Sequence, residues 1–165
     1  MRKALALALM VLMVQPCWPQ TGNTWNKVRY NGGTAQTKVK PDDWDNKLTV
    51  TSDLIEFDLK DGQAIKIDPK TVTSISYGQE AHRRVGTMVA LAILISPAAL
   101  FGLFHKTKLH FIGVEYDQDG KKGGLLMQGD KGNYRAILLA LKAVTGKDVQ
   151  TAEEDKQTVK AKDKQ

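Results

Sequence analysis

Between Lys47 and Tyr77 apolar and polar residues alternate with period two. Leu48 and Val50 alternate with Thr49 and Thr51, and Ile55, Phe57 and Leu59 with Glu56, Asp58 and Lys60. Ile65 and Ile67 resume the alternation after Asp61-Gly62, and Thr73, Ile75 and Tyr77 follow Asp68-Pro69. Alternation of this kind gives each strand one buried and one wet face, the signature of antiparallel sheet, and Asp-Gly is a strong hairpin signal. A second β block runs from Lys108 to Tyr116, turns at Asp119-Gly120 and returns over Leu125–Gln128. The period then changes to 3.6: Tyr134, Ile137, Leu138, Leu141 and Val144 share one helical face. Asp130 or Asn133 is placed to cap that helix, and Gly146 to end it.

The flanks read differently. Residues 21–46 are polar, with Trp25, Val28 and Tyr30 marking one short strand before Gly32-Gly33 and a turn at Pro41-Asp42-Asp43. Residues 150–165 carry almost no apolar side chain and read as a disordered charged tail. At the start, Arg2-Lys3 precedes eleven apolar residues, Ala4 to Val14. A basic start followed by a short apolar run is the secretory pattern, so residues 1–20 read as a signal peptide. Small residues of the A-x-A kind are missing around Pro16-Cys17-Trp18-Pro19, which leaves the cleavage site open. The expected organisation is thus 1–20 signal peptide, 21–46 polar segment, 47–149 β domain and 150–165 tail.

Between the two β blocks lies a segment of 20 uncharged residues, 85–104, with only Thr87 and Ser96 as polar side chains. As a continuous helix it would be about 30 Å long, the thickness of a bilayer core. Ser96-Pro97 breaks that continuity: proline lacks the N–H that the helical ladder needs, while serine before proline suits a helix start. Two short helices, 85–95 and 98–104, would enter one leaflet and return. If both β blocks share one sheet, the segment must return to the side it left. Leu91, Leu94, Ile95, Leu100, Phe101 and Phe104 are the expected membrane-contacting residues. Arg83, Arg84, Lys106 and Lys108 flank the segment and are candidates for anionic lipid headgroups.

The stretch from Leu48 to Lys147 carries a resemblance. "LTVTSDLIEFDLKDGQAIKIDPKTVTSISYGQEAHRR" and "KLHFIGVEYDQDGKKGGLLMQGDKGNYRAILLALKAVTGK" resemble the strand series, last hairpin and helix of the pleckstrin-homology-like (PH-like) domains of bacterial proteins of unknown function. The resemblance implies an α+β fold: a small antiparallel sheet or partly open barrel capped by a C-terminal amphipathic helix, here with the apolar helical insert between strands. It implies a scaffold or binding module and transfers no functional residue.

Composition narrows the chemistry. The net charge of +6 falls to +4 without Arg2 and Lys3, spread along the chain, too weak for a nucleic-acid footprint. One Cys excludes a disulfide scaffold, and three His leave little for a metal or acid–base site. The Asp42-Asp43-Trp44-Asp45 turn lacks the glycine and distal glutamate of a calcium loop, and Gly120-Lys121-Lys122-Gly123-Gly124 leads into a strand rather than the helix a phosphate loop requires. No catalytic residue, metal or cofactor is expected. The expected function is an exported, membrane-associated, non-catalytic interaction module of the cell envelope, with membrane lipids as its partner. The alternative is an envelope hydrolase or small-ligand-binding protein whose site forms only in three dimensions.

Overall fold

The computed structural model describes residues 22–78, 80–81, 84–85 and 109–151. Eight strands form one sheet: β1 (Asn23–Gly33), β2 (Asn46–Val50), β3 (Ile55–Asp58), β4 (Ala64–Ile67), β5 (Val72–Tyr77), β6 (His110–Gln118), β7 (Lys121–Gly129) and β8 (Val149–Thr151). The spatial order is β4-β3-β2-β1-β7-β6-β5-β8, antiparallel throughout except for the β5–β8 pair. An α-helix, α1 (Tyr134–Thr145), follows β7, and a 3-10 turn at Pro69–Thr71 joins β4 to β5. The class is α+β.

Two meanders, β1–β4 and β5–β7, are joined by β1. Its first half pairs with β2 and its second half with β7, and Val28 is the residue common to both, facing Asn46 on one side and Gly129 on the other. Bulges interrupt both pairings, after Trp25 and after Tyr30, and a bulge bends a strand and raises its twist. Gly32 and Gly33 have φ of 141° and 148°. A Cβ on Gly33 would lie 2.2 Å from the Gly124 carbonyl oxygen, so only glycine brings β1 this close to β7. The strand expected around Trp25–Tyr30 is therefore real but longer, and it is the centre of the sheet.

The turn chemistry follows the sequence. Asp119 and Gly120 have φ of 56° and 74° between the paired Gln118 and Lys121, the two-residue hairpin whose positive φ values match strand twist. Gly62 has φ 86° in the β3–β4 hairpin. Gly146 ends α1 in the left-handed region, its N–H donating to the Lys142 carbonyl at 2.9 Å. At the other end, Asn133 occupies the cap position without capping. The Asp130 carboxylate instead accepts from the Gly132 and Asn133 N–H groups at 2.6 and 2.8 Å.

The main core lies between the inner face of the sheet and α1. Leu48, Phe57, Ile67, Ile75, Ile112, Met127, Ile137 and Leu141 are all fully buried there. Asn46 locks the β2 end of β1: its amide donates to the Val28 and Asp43 carbonyls, and its oxygen accepts from the Lys60 N–H. Beyond Lys147, Val149–Thr151 pair with β5, so the first residues of the expected tail are a strand. Residues 152–165 and 1–21 lie outside the described residues.

Helix α1 generates a paired prediction. Leu141 is fully buried and Leu139 is 70% exposed on the opposite side. Leu141→Asp buries an unpaired carboxylate and is expected to cost more than about 4 kcal/mol, whereas Leu139→Asp stays within about 0.5 kcal/mol. Urea midpoints of the two variants check this; equal midpoints would show that α1 is docked on another face.

Candidate functional site

The two meanders differ on their outer face. On β2–β4 that face is wet and laced with cross-strand pairs: Lys47 with Asp58 at 2.8 Å and Lys66 with Glu56 at 3.1 Å, both directly opposed in the register. On β5–β7 it is buried. Ser74, Ser76, Glu115 and Gln128 are 7%, 0%, 6% and 6% exposed. The alternation of Ser74 and Ser76 with Ile75 predicts a wet face; the structure corrects that, because Ala81, Arg84 and Val85 pack over it.

Residues 80, 81, 84 and 85 are helical. Ala81 and Val85 form a second apolar cluster with Phe111 and Leu126, flanked by Leu109. Gly113 is where this segment meets the sheet. A Cβ there would lie 2.6 Å from Ser76 Oγ, 3.0 Å from Val85 Cγ2 and 3.1 Å from the Ala81 oxygen. Val85, the first residue of the uncharged segment, is thus sheet-packed and fully buried.

Arg84 is the one lipid-headgroup candidate among the described residues, and it is turned to protein. Its Nε donates to Glu80 at 2.9 Å, one turn earlier, and its Nη1 to Ser74 Oγ at 3.2 Å, with Glu115 at 3.7 Å. The Glu80 and Glu115 side chains are 13% and 8% exposed. Buried carboxylates need a cation, and Arg84 supplies it while fastening its own helical turn to β5 and β6. Arg83, Lys106, Lys108 and all six expected membrane-contacting residues, Leu91, Leu94, Ile95, Leu100, Phe101 and Phe104, lie outside the described residues. No helix among the described residues is long and apolar enough to cross a membrane.

Where β5 ends and β6 begins, three rings stack. His110 lies 3.7 Å from Tyr134 at an interplanar angle of 2°, and Tyr77 lies 5.6 Å from Tyr134. The Tyr77 hydroxyl and His110 Nδ1 are 2.7 Å apart. All three are half-buried, and Arg135 Nε donates to the Tyr134 hydroxyl at 2.9 Å. The cluster ties β5, β6 and the first turn of α1 together. Sequence reasoning missed it, although its members were visible as the last residue of one alternation, the first of the next strand and the first of the helical face.

The acidic turn is internally satisfied. Lys60 reaches Asp43 at 3.1 Å and Asp45 at 2.7 Å; the Asp45 N–H and then Lys60 hold the Asp43 carboxyl below its usual range. Among the described residues no group of three or more His, Cys, Asp or Glu is placed to hold a metal. Arg29 lies 4.1 Å over the Trp44 ring; burial lowers its pKa, and Asp42 partly offsets this.

No family model and no curated protein matches the sequence. Among solved structures, a chain in the Spt16D Pob3N heterodimer superposes with a TM-score of 0.47 at 7% identity. The alignment covers 79% of this chain and 54% of that one, so this chain spans about half its length.

The seat of Ala81 and Val85 can be tested at Gly113. Gly113→Ala forces Val85 and the Ala81 backbone away from β6, with an expected loss of about 1–3 kcal/mol. Amide exchange at residues 81 and 85 should accelerate more than in β2–β4. Unchanged exchange there would show that the stretch does not rest on Gly113.

Proposed function

We propose that the protein is an exported, membrane-associated, non-catalytic interaction module of the cell envelope, built on a PH-like β domain. Two meanders closed by a C-terminal helix support the PH-like reading. The observation that carries the membrane reading is the position of the uncharged segment. It is an excursion between β5 and β6, hydrogen-bonded neighbours through pairs such as Tyr77–Ile112. The whole connection therefore has its roots on neighbouring strands, about 5 Å apart, while the uncharged residues begin at Val85, packed on the outer face beside Gly113. A segment of 20 uncharged residues so tethered goes out and comes back, which favours entering one leaflet at the Ser96-Pro97 break over a single crossing. The basic start and apolar run of residues 2–14 support export.

Two experiments test this. Removing residues 2–14 should leave the protein in the cytoplasm; envelope localisation unchanged by that deletion would defeat the export reading. For the membrane, residues 1–20 are replaced by a cleavable signal, so that no retained leader anchors the chain. Leu91→Lys with Leu94→Lys should then release the protein from washed membranes, since each central charge costs about 2.5–3.5 kcal/mol on insertion scales. Retention equal to the parent would remove the segment from the membrane.

A further inference from the structure

We infer that Arg29, stacked on Trp44 at the outer side of β1, anchors a carboxylate-binding site, with Gln128 and Asn31 beside it. The site needs nothing from the uncharged segment and stands apart from the membrane reading.

Three parts of the chain meet there. Arg29 lies in the second half of β1, directly opposite Gln128 of β7, so the two share the outer face. The turn after Lys40 folds against them. Its Trp44 ring lies 4.1 Å from the Arg29 guanidinium, and the Asn31 amide donates to its Pro41 carbonyl at 3.4 Å. The turn is itself fixed: the Asp43 carbonyl accepts from the Asn46 amide, and the Asp43 carboxylate from the Asp45 N–H, both at 2.9 Å. A guanidinium stacked on a ring held in this way keeps its N–H donors in one defined plane.

The polar groups here have unmet capacity. Arg29 Nε is buried without a hydrogen-bond partner, and so is the Oδ1 of Asn31, a residue 1% exposed. Gln128 is 6% exposed. Among the described residues no ion pair holds the guanidinium: burial works against its charge, and Asp42 favours it through space. Asp43 and Asp45 are taken by Lys60. A half-buried cation with unmet donors is costly to keep, and a charge-assisted pair with an oxyanion is the strongest hydrogen bond a guanidinium makes. One cation beside an acidic turn suits a single negative charge. That favours a carboxylate held by two parallel N–H···O bonds over a doubly charged phosphate. Arginine and tryptophan are also the residue types that dominate binding energy at interfaces.

The test is a fluorescence titration of the full chain carrying Trp18→Phe and Trp25→Phe, which leaves Trp44 as the reporter. Sodium acetate should give a saturable change that sodium chloride at equal ionic strength does not give. Arg29→Gln keeps a side-chain amide and removes the charge, and it should weaken acetate binding about tenfold or more. Arg29→Lys keeps the charge without the fork and should recover only part of the loss. Asp42→Asn removes a competing carboxylate at an exposed position and should tighten acetate binding, which an Arg29–Trp44 stack serving only to pack the turn would not do. All variants should keep the parent's thermal midpoint within a few degrees. N-acetylglutamic acid amide distinguishes the source: binding tighter than acetate assigns the acidic side chain of a protein partner, and equal binding a small free carboxylate. No saturable response to either compound overturns the proposal, as does an Arg29→Gln titration equal to the parent's.

Discussion

The pairing of β5 with β6 is the constraint on which the rest depends. Five registered pairs, from Val72–Tyr116 to Tyr77–Ile112, hold together strands that the sequence separates by the whole uncharged segment. A long connection between adjacent antiparallel strands costs little more closure entropy than a medium one, because that cost grows only with the logarithm of length. What the pairing dictates is geometric. The connection that carries the uncharged segment leaves β5 and returns to its neighbour β6, so it goes out from one sheet and comes back to it.

That constraint explains the asymmetry of the two meanders. β2–β4 bury one face and dress the other with Lys–Asp and Lys–Glu pairs. β5–β7 are buried on both, since the first helical residues of the excursion fold back over the outer face. Gly113 leaves room for Val85 and Ala81, and Ser74 and Glu115 receive Arg84. On the inner face, Tyr77 and His110 stack on Tyr134 and carry the same end of the sheet onto α1. The departure point is therefore braced from both sides by side chains of β5 and β6.

Much of this was legible in the chain. The period-two runs over β2–β4, the Asp-Gly hairpins and the helical face of α1 are local features whose physics acts within a few residues, and they appear where expected. β1 was underread because its length serves two partners. Asn26, Lys27 and Arg29 spoil the alternation where it passes from β2 to β7, and no local signal announces a bent, bulged strand. The double burial of Ser74 and Ser76 was illegible for a different reason: it is caused by Ala81, Arg84 and Val85, beyond the end of the strand. Arg84 shows the same limit. Its closeness to an uncharged run suggests lipid, but the buried carboxylates that hold it come from one helical turn away and from β6.

The claim that an excursion leaves one sheet and returns to the same side is tested most directly by side-specific thiol labelling. Thr73 and Lys121 are exposed residues of the two β blocks. Each is changed to cysteine separately, in a Cys17→Ser background, and probed with a membrane-impermeant reagent in intact and permeabilised cells. The account predicts that both label under the same condition. Labelling of one only in intact cells and the other only after permeabilisation would mean that the segment crosses the membrane and that the β5–β6 pairing does not exist there.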